Sequence, residues 1–204
     1  MTHENNDHLR LSAPAAVRNR EPIEQVLVRV LDDQAYILEL ASGSGEHGVY
    51  MTQRHPGWRW QPSDISPAAL ASIEAWRAFT GSVNLLPPLR RDTLESWPDE
   101  HFDALVAINL IHISPWEVTE ALMAKAARHL TPGGVLFLYG PYRRQGQHTA
   151  PSNAAFDADL KARDSRWGVR DLEAVIAEAE ARGMVLELVD PLPANNLAVV
   201  FRRT

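Results

Sequence analysis

Ile37-Leu38-Glu39-Leu40-Ala41-Ser42-Gly43-Ser44-Gly45-Glu46-His47-Gly48 is a short apolar run that ends in a carboxylate and breaks into a Gly-x-Gly turn ahead of a helical stretch. Parallel α/β sheets bring backbone against a nucleotide-like ligand in this way. The glycines permit φ > 0 and place no Cβ between main chain and ligand, and the amides of the helix start face the ligand's polar groups. Read as Gly43-x-Gly45-x-x-Gly48, the stretch satisfies the dinucleotide fingerprint, with Asp64 near the ~20-residue offset of a ribose-binding acid.

A second reading, Glu39-x-Ala41-x-Gly43-x-Gly45, resembles motif I of class I S-adenosylmethionine-dependent methyltransferases, with alanine at the usual first glycine. Glu39 separates the two. A carboxylate at a strand tip repels a pyrophosphate and attracts the ammonium of a methionyl group. The charge pattern favours S-adenosylmethionine.

The elements around this stretch alternate. Pro22, in Glu21-Pro22-Ile23-Glu24-Gln25-Val26, suits the first turn of a helix reaching Leu31. A strand over 35–40, a helix over 46–54, a strand over 58–61 and a helix over 68–79 follow. Leu85 to Arg90 carries two prolines and gives at most a short third strand. Phe102 to Ile111 is a near-continuous apolar run, as in a central parallel strand covered on both faces. A helix over 115–130 is stopped by Thr131-Pro132-Gly133-Gly134, and a buried strand over 135–139 comes next. The polar stretch 140–167 reads as an insertion on the substrate side, where long loops bind or cover ligands. A helix over 171–182 closes with Gly183 at C′. The last two strands, 185–189 and 197–202, are joined too closely for a parallel crossover. The expectation is an α/β, Rossmann-like doubly wound sheet of about seven strands with a reversed C-terminal strand.

With 204 residues and 45% apolar content, the chain reads as one domain over 12–204 behind a polar, flexible tail over 1–11. It has no cysteine, which excludes disulfides, thiolate nucleophiles and zinc ribbons. No apolar run approaches the ~20 residues of a membrane span, and the mixed polar start fits neither a signal nor a transit peptide. A cytoplasmic location is expected. The net charge of −6 argues against a dedicated nucleic-acid binder, and the Arg90-Arg91, Arg143-Arg144 and Arg202-Arg203 pairs read as solvated surface.

In order along nearly the whole chain, the glycine motif, Asp64, Asp92, the strand ending at Asn109 and Leu130-Thr131-Pro132-Gly133-Gly134 resemble class I methyltransferases. More narrowly, the chain resembles the methyltransferase-like protein 26 family. That likeness rests on Ser12 to Ile23, Trp60-Gln61-Pro62-Ser63-Asp64, His112-Ile113-Ser114-Pro115-Trp116, Tyr139-Gly140-Pro141-Tyr142, Ser152-Asn153 with Phe156-Asp157, and Pro193-Ala194-Asn195-Asn196. The resemblance implies S-adenosylmethionine as cofactor. Glu39 would meet its ammonium, and the backbone of Ala41, Gly43 and Gly45 would pass the ligand. Asp64 would accept from the ribose hydroxyls, and Asp92, beside Thr93 and Leu94, from the adenine amino group. Asn109 ends the strand where ligands of such sheets collect.

Methyl transfer is an in-line displacement that asks mainly for alignment, with a base in reach if the acceptor is protonated. His112 is the candidate base, and Tyr142 and Asn153 are its candidate companions in catalysis. Arg18 and Asn19, in an N-terminal lid over 12–34, are substrate-side candidates with Trp116, Tyr139 and Asp157. No metal-ligand cluster is visible. The expected function is methyl transfer to a small, polar acceptor. The rivals are an NAD-dependent oxidoreductase and a non-catalytic module on the same fold. Substitution of Asp64 is expected to abolish cofactor binding and leave the fold intact.

Overall fold

The computed structural model describes residues 6–204. The expected tail lies outside the described residues over 1–5. Asn6–Leu9 form a 3-10 turn, and the Arg10 guanidinium stacks 3.7 Å from the Phe79 ring centroid. The chain divides into two compact units, Met1–Asp92 and Thr93–Thr204.

In the first unit, α1 (Pro14–Val30) precedes β1 (Tyr36–Leu40), α2 (Glu46–Arg54), β2 (Arg59–Asp64), α3 (Pro67–Thr80) and β3 (Leu89–Arg90). The helix expected to begin at Glu21, with Pro22 in its first turn, begins about two turns earlier. Pro14 takes the first position and Pro22 lies inside the helix, where it can donate no N–H. The interruption is tolerated because Ile23, Val26 and Leu27 are wholly buried. The Glu24 carboxylate also ties the helix to Arg54 (2.6 Å), His55 (2.7 Å) and Tyr50 (2.7 Å). β1 pairs parallel with β2, and β2 with β3. Ser66 caps α3, accepting from the Ala69 N–H, with Pro67 in the first turn.

The second unit opens with β4 (Phe102–Ile108), α4 (Trp116–His129) and β5 (Leu130–Gly140). β4 runs parallel to β5, and a register jump from Phe102↔Leu130 to Ala104↔Val135 absorbs Thr131 to Gly134. Those residues were expected to precede the strand and instead bulge within it. The stretch over 140–167 is not a loop. It folds into β6 (Tyr142–Arg144), β7 (Gln147–His148) and α5 (Pro151–Arg163), and β8 (Arg170–Asp171) completes a small three-stranded sheet in the order β7-β6-β8. The inward positions of α5 are Asn153, Asp157 and Leu160. Their spacing is helical, but two of the three are polar, which hides the helix from hydrophobic periodicity. Then come α6 (Leu172–Glu180), β9 (Met184–Leu192) and β10 (Asn196–Arg203). The cap of α6 is Ala181, so Gly183 lies one position beyond the C′ expected of it.

The main sheet has seven strands in the order β3-β2-β1-β4-β5-β10-β9. β10 runs antiparallel to both neighbours, the reversed C-terminal strand of the sequence reading. No helix among the described residues is long and apolar enough to cross a membrane.

Candidate functional site

In the first unit the chain leaves β1 through three left-handed residues: Ala41 (φ 52°), Gly43 (φ 56°) and Gly45 (φ 87°). The two glycines differ in role. A Cβ on Gly43 would meet nothing within 4 Å, whereas one on Gly45 would press to 2.9 Å from Ile73 Cγ1. Gly43 therefore borders open space, and Gly45 lets α2 pack onto α3.

Asp64, at the end of β2, closes this turn. Its Oδ2 accepts the Gly43 N–H at 2.9 Å and its Oδ1 the Ser66 N–H at 2.8 Å. Ser42 and Ser63 lace the two strand ends through the Ser42 N–H to the Ser63 carbonyl (2.9 Å) and the Ser63 N–H to Ser42 Oγ (3.1 Å).

Glu39 is 1% exposed, and its Oε2 accepts from Trp60 Nε1 at 3.0 Å. Burial pushes its carboxyl up to about 7, against the Trp60 and Ser42 hydrogen bonds, and the Asp64 charge adds to the rise. Its Oε1 lies 3.8 Å from His47 Nδ1. His47 is held at about 4 by burial, assisted by the Arg20 charge, and its Nε2 meets Asn19 Oδ1 at 2.8 Å. Asn19, a lid candidate, is thus buried against His47, while Arg18 is exposed. The sequence reading passed over Glu46. Its carboxylate takes the Ala13 N–H (2.6 Å) and the hydroxyls of Ser44 (2.9 Å) and Ser12 (3.2 Å), strapping the entry to α1 onto the glycine turn. An acid in the first turn of a helix was the available signal. Asp92 is partly buried at the end of this unit.

In the second unit, Thr93 is buried and Leu94 exposed. Asn109 follows β4 with φ 60°. Its N–H reaches the Tyr139 carbonyl at 2.8 Å, and its carbonyl accepts the His112 N–H at 3.0 Å. His112 has no exposed surface. Its carbonyl takes the Gly168 N–H at 2.9 Å, and its Nδ1 takes the Arg170 N–H at 3.3 Å. A backbone N–H can only donate, so Nδ1 is the acceptor and the ring proton sits on Nε2. Burial, with the Arg170 charge, drives the imidazole down to about 3. Its ring stands edge-on to Tyr142, centroids 5.0 Å apart. A Cβ on Gly140 would overlap the His112 ring and come within 3.0 Å of Asn109 Oδ1. The Tyr142 hydroxyl and His112 Nε2 are both buried without a hydrogen-bond partner. Burial pushes the phenol up, so it keeps its proton.

Asn153 does not reach this pair. Its Nδ2 holds Thr149 Oγ1 (3.2 Å) and the Asn195 carbonyl (3.1 Å). Asp157 accepts from the Val169 N–H (2.8 Å) and Lys161 Nζ (2.6 Å), with His148 Nε2 at 3.3 Å. Burial raises its carboxyl, and the Lys161, Val169 and His148 interactions outweigh that and hold it low. Arg170, which no motif singles out, spans the turn after β4. It donates to the carbonyls of Ile111 (2.9 Å), Ser114 (2.6 Å) and Arg166 (2.9 Å), and lies 5.8 Å from the Trp116 ring centroid. Among the described residues no group of three or more His, Asp or Glu side chains could hold a metal ion.

A family model described as "Protein of unknown function (DUF938)" matches residues 10–203. Among solved structures, an O-methyltransferase family protein from Burkholderia thailandensis superposes with a TM-score of 0.80 at 16% identity, over 99% of this chain and 61% of that one. An O-methyltransferase family 2 protein from Planctomyces limnophilus, solved with apigenin, gives 0.78 at 19% identity, over 100% and 63%. CalO1, a methyltransferase in calicheamicin biosynthesis with S-adenosylhomocysteine bound, gives 0.73 at 16% identity, over 93% and 55%. The chain spans about three fifths of the length of these relatives. Likeness at this identity establishes the Rossmann-like methyltransferase fold.

Proposed function

The chain belongs to the DUF938 family, whose description assigns no activity, and we propose that it transfers a methyl group from S-adenosylmethionine to a small, polar acceptor. One observation carries this reading: a buried carboxylate, Glu39, stands at the foot of a left-handed turn whose Gly43 borders open space. A buried acid with little ionic compensation fits a cationic ligand group. Beside a pyrophosphate it would add repulsion, which disfavours the NAD reading.

The residues fit the cofactor. Glu39 would take the ammonium, and the main chain of Ala41, Gly43 and Gly45 would pass alongside. Each Asp64 oxygen already accepts one N–H and keeps a lone pair for a ribose hydroxyl. Asp92 would accept from the adenine, and Thr93, Leu94 and Asn109 are proposed as further cofactor contacts. When bound, the cofactor supplies an electrophilic methyl on a sulfonium, so alignment is the chief demand on the protein.

His112 acts here as a donor through Nε2–H, because its Nδ1 is occupied by the Arg170 N–H. Tyr142, Trp116 and Tyr139 are the other acceptor-side candidates, and Asn153 and Asp157 position the insertion that carries Tyr142. The apigenin bound in one structural neighbour supports a small-molecule acceptor. Calorimetric titration with S-adenosylhomocysteine, beside NAD in the same buffer, tests the reading. Binding of the former alone is expected. NAD binding, or silence from both, overturns it.

A further inference from the structure

Of the polar groups in the second unit that are sealed from solvent without a partner, two belong to rings in contact: the Tyr142 hydroxyl and His112 Nε2. A polar group left unpaired in the interior forfeits the hydrogen bonds it made to water, and these two sit on touching rings. Both carry hydrogen. The Arg170 N–H fixes the proton on His112 Nε2, and the phenol remains protonated. The complement of two donors on rings in edge-on contact is an oxygen acceptor with more than one lone pair.

The charge around them has one sign left over. Asp157 is paired with Lys161 and His148, and Asp171 lies 3.4 Å from Arg143. Arg170 directs its hydrogen bonds only at main-chain carbonyls. Burial and the Arg143 charge press its guanidinium below the usual range against a smaller opposing pull from Asp157, and no carboxylate accepts a hydrogen bond from it. An anionic oxygen would supply that missing charge.

Resting on the methyltransferase reading, we propose that the acceptor substrate is a small carboxylic acid, whose carboxylate is received by His112 Nε2–H and the Tyr142 hydroxyl beside Arg170. The acid is held as its anion, and no bond to it is made or broken by these residues. They bind and orient. Gly140 belongs to the same device, since a side chain there would overlap the His112 ring. Neither donor meets solvent, so entry of the acid requires a local opening of the fold around them.

The test compares wild type with Tyr142→Phe. Each is titrated by NMR with benzoate against benzamide and acetate against acetamide, with and without S-adenosylhomocysteine. Wild type is expected to bind the acids at least about tenfold tighter than the amides, and Tyr142→Phe to lose about 10- to 100-fold in acid affinity. Its thermal midpoint should be unchanged or higher, since the lost hydroxyl abandons no partner, and its affinity for S-adenosylhomocysteine should equal that of wild type. Equal binding of acid and amide, no acid binding, or acid binding indifferent to Tyr142→Phe overturns the proposal. Failure of S-adenosylhomocysteine to bind wild type overturns the cofactor reading instead, and the acid titrations without it still decide this one.

Discussion

Glu39→Gln separates what the buried carboxylate does for stability from what it does for binding. A carboxyl moved from 4.5 to about 7 by burial carries about 3 kcal/mol of unfavourable free energy when forced to ionise in place. Its folded value lies above its unfolded one. The group therefore contributes its full stability below pH 4.5 and loses it as pH rises through about 7. Glutamine keeps an oxygen for the Trp60 indole N–H and never ionises. Urea unfolding at pH 8 should find Glu39→Gln more stable than wild type by up to about 3 kcal/mol, and at pH 5 this advantage should shrink toward nothing. Binding should move the other way. Wild-type affinity for S-adenosylhomocysteine should fall up to about tenfold per pH unit below 7, as the carboxylate takes up a proton, while the variant binds weakly and without that slope. A variant no more stable at pH 8, or one that keeps wild-type affinity, would refute the reasoning.

The glycine turn gives a second contrast. Gly45→Ala meets Ile73 at 2.9 Å in a left-handed conformation and should lower the unfolding free energy by about 2 kcal/mol or more, against about 1 kcal/mol for the unobstructed Gly43→Ala; denaturant midpoints decide. Gly43→Ala should still weaken S-adenosylhomocysteine binding in calorimetry. Asp64→Ala should abolish that binding and also cost about 1–3 kcal/mol in stability, because two backbone N–H groups lose their acceptor. His47 and His112, held at about 4 and about 3, stay neutral when folded and take protons when unfolded. Stability should therefore fall by about 1.4 kcal/mol per pH unit for each as pH drops below 6.5. Glu39 opposes one of these two slopes, so urea midpoints in the Glu39→Gln background should show the steeper loss.

The main sheet was legible because its signals are apolar and local. The run at Phe102 to Ile108 has no polar side chain but Asp103, and the short link before β10 forbids a parallel crossover. Ser66-Pro67 marked the start of α3 for the same local reason. The start of α1 is not legible, because Pro22 suits a first turn while burial of Ile23 and Leu27 lets the helix run through it. Asp64 was expected to matter to a ligand and not to the fold. Its two backbone hydrogen bonds come from Gly43 and Ser66, a tertiary fact that no spacing displays. Likewise, the tautomer of His112 is set by Arg170, fifty-eight positions away along the chain. A residue's chemistry can thus be fixed by a partner that no motif contains.

The polar inward face of α5 bears on how the molecule moves. A helix seated by Asn153 and Asp157, with Leu160 as its one buried apolar anchor, releases little apolar surface when it lifts. Its opening is a local unfolding event, decoupled from melting of the main sheet, and urea should scarcely promote it because the response scales with surface exposed. In native-state hydrogen exchange the α5 amides should therefore form a separate cooperative group with a near-flat urea dependence. The same lifting would part Asp157 from the Val169 N–H and Asn153 from the Asn195 carbonyl, so the breathing of one helix would loosen the insertion that carries Tyr142.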